Sequence, residues 1–401
     1  MRPALSAIIL LISASAQTRQ VTDEEVRQVH RSALLIDTHN DVTSETVRGL
    51  DIGPRRTTGH TDVARLREGG VGAVFFAAYV AGSYVEGNRS ANRTLQMIDT
   101  IVHDIVGRYP NDFELALTAN DIVAARNRGR IAALIGIEGG HAIEDSLRLL
   151  RNYHRLGVRY MTLTHSNTNN WADSSGDADR AGVKHHNGLT GFGREVVREM
   201  NRLGMMVDIS HVADKTFWDA LETSSAPPFA SHSSCRGLSN IPRNMTDEMI
   251  VALAKKGGVV QLNFGCQFLS QKSADSSPSF SAMTARIRAE VEKETSDPEK
   301  RRELTRQRME AIDRKTIPAT LADVVAHVDR IVKIAGIDAV GIGSDYDGVG
   351  CVPTGLEDNS KYPALTRALL EKGYNAAQIR RIYGENLLRV MRAAEKAGNR
   401  K

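Results

Sequence analysis

Two residues able to hold a metal, His39 and Asp41, close the stretch 34–41, which reads L-L-I-D-T-H-N-D. On a strand, a spacing of two points both side chains to one face. At a strand end both can reach one ion. Alone, the pair fits a buried histidine–aspartate contact as well as a ligand pair. The pattern then recurs. Apolar runs end in Glu138 (G-I-E-G-G), His165 (L-T-H-S), His211 (V-D-I-S-H), His232 (A-S-H-S), and Asp345 with Asp347 (G-S-D-Y-D-G). Histidine nitrogens combined with carboxylate oxygens suit zinc. The candidates exceed the need of one four-coordinate ion. Two ions roughly 3.5 Å apart, sharing one carboxylate, would use them.

Such groups must be carried to one place by the elements between them. Short apolar runs at 33–36, 70–80, 130–137, 159–163, 205–209, 229–231, 258–264 and 339–342 read as eight strands, with helical patterns between them. Continuous apolar strands are those of a parallel sheet buried on both faces. Eight strands alternating with helices predict an α/β fold, a (β/α)8 TIM barrel, whose chemistry sits at the C-terminal strand ends. All the candidate ligands fall there. The polar stretch 164–189 follows the fourth strand and is expected to be a long loop at the same mouth.

The rest of the chain bounds the partners. Residues 1–16 place Arg2 before an apolar core and end in Ala14-Ser15-Ala16, the pattern of a cleaved secretory signal peptide. Export to the periplasm or medium is expected, with residues 17–401 as one barrel domain. A net charge of +4 over 401 residues, with no basic stripe, gives no basis for a nucleic-acid partner. No second apolar stretch has membrane length. The segment at about 270–315 is dense in charges of alternating sign and reads as a solvated helical insertion broken near Pro298. The last dozen residues read as loose. Of three cysteines, Cys235 and Cys266 lie after successive strands and form the expected pair if a disulfide is present.

Taken together, the motifs at 36–41, 136–140, 163–166, 206–211, 231–233 (S-H-S), 240–244 (N-I-P-R-N) and 343–348 resemble the membrane dipeptidase family. These are the renal dipeptidase-like or M19 peptidases of the metal-dependent amidohydrolase barrels. The likeness runs from about residue 33 to 390. It implies two Zn2+ per chain, with His39 and Asp41 on one ion, His211 and His232 on the other, and Glu138 bridging. It also implies substrate contacts from His165 and Arg243, and a proton-handling Asp345. The implied activity is hydrolysis of free dipeptides, including those with a C-terminal D-residue, by a homodimer. A related amidohydrolase acting on N-acyl amino acids, lactones or β-lactams is the alternative. No hydrophobic tail follows residue 390, so the lipid anchor of the animal members is not expected.

The chemistry asks for the same roles. Zinc lowers the pKa of a bound water to about 7. Asp345 can take that proton and pass it to the leaving amine. His165 can stabilise the developing oxyanion, and Arg243 offers a fork for the terminal carboxylate. Asp347 is expected to support its loop, and Asp208 to stand behind the ligands. His185 and His186 are expected at the surface. Gly139-Gly140 lacks the spacing of a phosphate cradle and is expected to let the backbone turn past Glu138.

Overall fold

Parallel strands buried on both faces need helices to cover them, and that is the arrangement formed. The structure is a computed structural model that describes residues 20–276, 280–313 and 316–399. The expected signal peptide lies outside these residues. Among the described residues nine strands form: β1 (Leu35–Asn40), β2 (Val71–Tyr79), β3 (Phe113–Leu115), β4 (Ile131–Glu138), β5 (Val158–Thr162), β6 (Met206–Asp208), β7 (Phe229–Ser233), β8 (Val259–Leu262) and β9 (Val340–Ile342). Eight of them run parallel in the order β1-β2-β4-β5-β6-β7-β8-β9. The ring closes just past the strands, where Asp345 N–H donates to the His39 carbonyl (3.0 Å) and Asp41 N–H to the Tyr346 carbonyl (2.9 Å). The fold is thus a (β/α)8 barrel.

The additional strand, β3, pairs with Ile131–Ala133 of β4, below the point where β5 joins at Ile135. Only three residues long, it carries too little pattern to be read from sequence. Helices start at side-chain caps: Thr118 and Asp121 form a capping box for Ala119–Asn127, and Thr320 and Asp323 for Leu321–Ala335.

The barrel interior holds Ile36, Ala73, Phe75, Leu134, Tyr160, Met206, Phe229 and Val259. Tyr160 is the centre of this layer, with ring centroids 5.2 Å from Phe75 and 5.4 Å from Phe229. Gly136 makes room for it, since a Cβ there would lie 2.0 Å from the Tyr160 ring. The chain end is a helix, Asn386–Gly398, not a loose tail. Leu387, Leu388, Val390, Met391 and Ala394 join the interior cluster. Its charged residues face outward, which made it read as polar.

The disulfide joins Cys266 to Cys351, with Cα atoms 5.5 Å apart, and Cys235 is a buried free thiol. The expected Cys235–Cys266 pair is therefore wrong. Cys235 faces the helix Leu321–Ala335, its N–H donating to His327 Nδ1, while the loops after β8 and β9 bring the other two together. The charged insertion forms two helices, Phe280–Glu294 and Pro298–Asp313. They share a small core of Met283, Ile287 and Val291 against Leu304 and Met309.

Candidate metal centre

Two of the strand-end histidines, His39 and His232, are aimed by a partner behind them. His39, at the end of β1, is fully buried, and its Nδ1 lies 2.8 Å from the Tyr160 hydroxyl. Tyr160 donates to the Thr38 carbonyl (3.1 Å), so its oxygen accepts the His39 Nδ1 proton. Its Nε2 faces Asp41 Oδ2 (3.1 Å) and Glu138 Oε1 (3.5 Å). Burial would lower the His39 pKa, but Tyr160, Glu138 and Asp41 outweigh it and hold it well above 6.5. His232, on β7, is set likewise. Its Nδ1 lies 2.7 Å from Ser231 Oγ, which donates to Asp208 Oδ2 at 2.6 Å. Partners of this kind fix the tautomer of a ligating histidine. Asp208 accepts four bonds, from Thr162, Ser210 and both the N–H and the hydroxyl of Ser231. It stands behind the cluster and has no lone pair to spare for an ion.

Four histidines converge on one oxygen, Glu138 Oε1: His211 Nε2 at 2.9 Å, His232 Nε2 at 3.2 Å, His39 Nε2 at 3.5 Å and His165 Nε2 at 3.8 Å. Glu138 ends β4, and Gly139 turns the chain away from it with φ of +106°. His211 and Asp345 take the left-handed conformation at φ 67° and 63°. Non-glycine residues hold it at a cost of about 1–3 kcal/mol, and such outliers cluster at functional sites.

These groups fit a cation on two counts. His211 Nε2 and His232 Nε2 lie 2.9 Å apart, a spacing at which two ring nitrogens can share one cation or one proton. His39 Nε2 is buried without a hydrogen bond of good geometry. Three overlapping trios bring ligand atoms within 4.8 Å of one another: His39–Asp41–Glu138, Glu138–His165–His211 and His39–His232–Asp345. Nitrogen with carboxylate oxygen is the donor set of zinc and its neighbours.

The electrostatics follow from burial. Burial drives the His211 and His232 pKa values well below 6.5, so both stay neutral and able to ligate. Burial lowers His165 too, aided by the charge of Arg243. Burial would raise Glu138, but His39 and His165 outweigh it and hold its carboxyl well below the usual range. Burial raises Asp345 well above it, with Asp41 and Glu138 adding repulsion. Arg243 follows β7 and is half-buried beside the cluster, with its Nε enclosed. Its Nη1 donates to Ser233 Oγ (2.9 Å), its Nη2 to the His232 carbonyl (2.7 Å), and its Nε is unpartnered. Burial lowers its pKa to about 10, so it remains charged at neutral pH.

The structure thus gathers His39, Asp41, Glu138, His165, His211, His232, Arg243 and Asp345 at one mouth. Asp347 lies to the side. Its Oδ1 accepts from His60 N–H and its own N–H donates to His60 Nδ1, both at 2.9 Å. His186 Nε2 donates to the Asn169 carbonyl at 2.8 Å and His185 Nδ1 sits 3.8 Å from Asp173, both away from the cluster. Sequence reasoning missed Asn263, whose Nδ2 donates to Asp345 Oδ2 at 2.8 Å. It ends β8's apolar run, so the strand-end rule that found the ligands applied to it as well. It also missed Tyr79, whose ring packs 4.8 Å from that of His165, and Tyr160. Both lie inside apolar runs and carry no local signal.

The family model described as membrane dipeptidase, peptidase family M19, matches residues 23–401. The chain belongs to the membrane dipeptidase family. An uncharacterised dipeptidase of Schizosaccharomyces pombe is 33% identical over 94% of this chain and 85% of its own. The solved dipeptidase AC, also of family M19, is 25% identical with a TM-score of 0.72, covering 90% of this chain and 98% of that one. The probable dipeptidase PvdM of Pseudomonas aeruginosa shares the fold at 24% identity and TM-score 0.77, over 93% and 98% of the two chains. A metallopeptidase of Rhodobacter sphaeroides, solved with a phosphinate mimic of L-Ala-D-Ala, is similar at 24% and 0.71, over 90% and 99%. Membership in the M19 family makes this chain a hydrolase of the metallo-dipeptidase class that depends on a metal. No helix among the described residues is long and apolar enough to cross a membrane.

Proposed function

We propose that the chain is a dizinc dipeptidase that hydrolyses free dipeptides, including those with a C-terminal D-residue. His39 and Asp41 would hold one ion, His211 and His232 the other, and Glu138 both. The observation that carries this reading is the convergence of four histidine Nε2 atoms within 3.8 Å of Glu138 Oε1. When bound, such ions supply Lewis acidity that polarises the peptide carbonyl and makes water a stronger nucleophile. Asp345 Oδ1 takes the proton of the attacking water and returns it to the leaving amine, since Oδ2 is engaged by Asn263. His165, neutral at pH 7, donates one N–H to the developing oxyanion. Arg243 has no carboxylate within ion-pair distance among the described residues, and its free Nε–H suits the terminal carboxylate of a dipeptide. The ligand of the Rhodobacter relative supports acceptance of a D-residue.

Export belongs to the same reading. The disulfide Cys266–Cys351 suits an oxidising compartment, as does the apolar leader at 1–16.

The test combines metal analysis of the purified chain with a screen of L-L and L-D dipeptides beside N-acyl amino acids. Two zinc ions per chain and chelator-sensitive dipeptide cleavage are expected. A preparation stripped of metal that still cleaves at full rate overturns the metal mechanism. Faster turnover of the N-acyl series overturns the substrate.

A further inference from the structure

Asp345 needs more than a place in the ring. A proton carrier must hold one oxygen toward the reacting water, and a carboxylate on a loop rotates freely unless its other oxygen is tied. Asp345 sits in a left-handed conformation on the loop after β9, with its own backbone bonded to His39 and Gly348. Its side chain has one neutral side-chain donor, Asn263 Nδ2, at 2.8 Å from Oδ2.

The orientation of that amide is decided locally. Asn263 Oδ1 accepts from Gly265 N–H at 2.6 Å. An N–H donor can be met only by the amide oxygen, so the NH2 must face Asp345. Asn263 is 1% exposed, and water does not compete for the bond. The two loops that carry the pair are also stitched together. Phe264 N–H donates to the Ser344 carbonyl and Cys266 N–H to the Cys351 carbonyl, each at 3.0 Å, and the Cys266–Cys351 disulfide closes the contact. Every link of this clamp joins the segment after β8 to the segment after β9. Apart from Asp345, none of its members belongs to a trio of candidate metal ligands.

We infer that Asn263 is a positioning residue: it ties Asp345 Oδ2 so that Oδ1 faces the reacting water, and the disulfide-linked loops hold the two residues in register. This rests on the proton-carrying role proposed for Asp345. Asn263 would therefore act on turnover, with substrate binding and metal content left to the other groups.

Two substitutions separate a hydrogen bond from packing. Asn263→Asp keeps the shape and the Gly265 bond but turns the donor facing Asp345 into an acceptor. Asn263→Ala removes the donor and leaves a space. Positioning by donation predicts that kcat falls about tenfold or more for Ala and further for Asp, with KM and bound metal near those of the parent chain. A packing role predicts the reverse order, with the isosteric Asp the milder change, and that result overturns the inference. A double-mutant cycle gives the second readout, independent of whether the Asp variant folds. In an Asp345→Asn background, Asn263→Ala should cost nothing further, because its only route to the chemistry is gone. An equal loss in both backgrounds overturns the inference. If Asp345→Asn alone retains full turnover, the role proposed for Asp345 falls; if it is inactive while both Asn263 variants match the parent chain, only the present inference falls.

Discussion

Glu138 and Glu294 are both glutamates with cationic or ionisable neighbours, and they live under different rules. Glu138 is 4% exposed and faces four histidines across the barrel mouth. Glu294, in the helix Phe280–Glu294, has a half-exposed side chain that pairs with Arg308 of the facing helix. At the mouth, Tyr160 fixes His39 and Ser231 fixes His232 from behind. In the helical pair, five apolar side chains form the only core described, and exposed ion pairs do the rest. Exposed pairs contribute little because water and salt screen them. The mouth therefore has one geometry, while the insertion can change sequence at little cost. Their fields still meet: alongside burial, the charge of Arg288 lowers the proton affinity of His165.

The largest expected effect comes from the mouth. Asp345→Asn should cut turnover by ~10²-fold or more while metal content stays unchanged. Parallel loss of metal, measured by elemental analysis, would make Asp345 a ligand instead.

The barrel wall gives the next. His327 is fully buried, its Nδ1 accepting from Cys235 N–H (3.0 Å) and its Nε2 donating to the Leu269 carbonyl (2.9 Å). Only the neutral ring satisfies both, and burial lowers its pKa to about 4. Between pH 6.5 and 4 the unfolded chain binds this proton and the folded chain does not. Stability should therefore fall as pH drops through that window, by up to ~3 kcal/mol from this residue. Melting curves of His327→Gln should show a shallower acid slope; an unchanged slope would remove His327 from the account.

A smaller effect is expected one layer behind the ligands. Ser231→Ala removes the group joining His232 Nδ1 to Asp208. Metal affinity should drop ~10–100-fold, the usual cost of losing such a support, with little change in fold by circular dichroism. Equal affinity would mean that packing alone orients His232.

The smallest belongs to the insertion. Arg306 pairs with Glu303 at 2.7 Å and lies 3.8 Å from Glu45 at the barrel rim. Arg306→Ala should cost less than ~1 kcal/mol, and less again at high salt. A loss of several kcal/mol in denaturant titration would show that the insertion is as tightly held as the mouth.

The proposed ligands and the proposed proton carrier were legible because two constraints coincide in each. A parallel barrel needs apolar strands, and its chemistry needs polar groups where those strands stop. His39, Glu138, His211, His232 and Asp345 all stand at such breaks. Tyr160 was not legible, since a tyrosine inside R-Y-M-T looks like core until His39 is found against its hydroxyl. The disulfide was misread for a related reason. Cys235 and Cys266 are nearer in sequence, but Cys351 follows β9, which lies beside β8 in the ring.

From the order of residues alone follow the eight strands of the ring, the parallel barrel, the family likeness and the set of groups able to hold metal. These depend on period and residue type, which are local. Which nitrogen of each histidine points inward, which oxygen of Asp345 meets Asn263, and which cysteines meet were decided by the closed ring. His39 with Tyr160, Asn263 with Asp345 and Cys266 with Cys351 are 121, 82 and 85 positions apart, and only packing brings such residues within bonding distance.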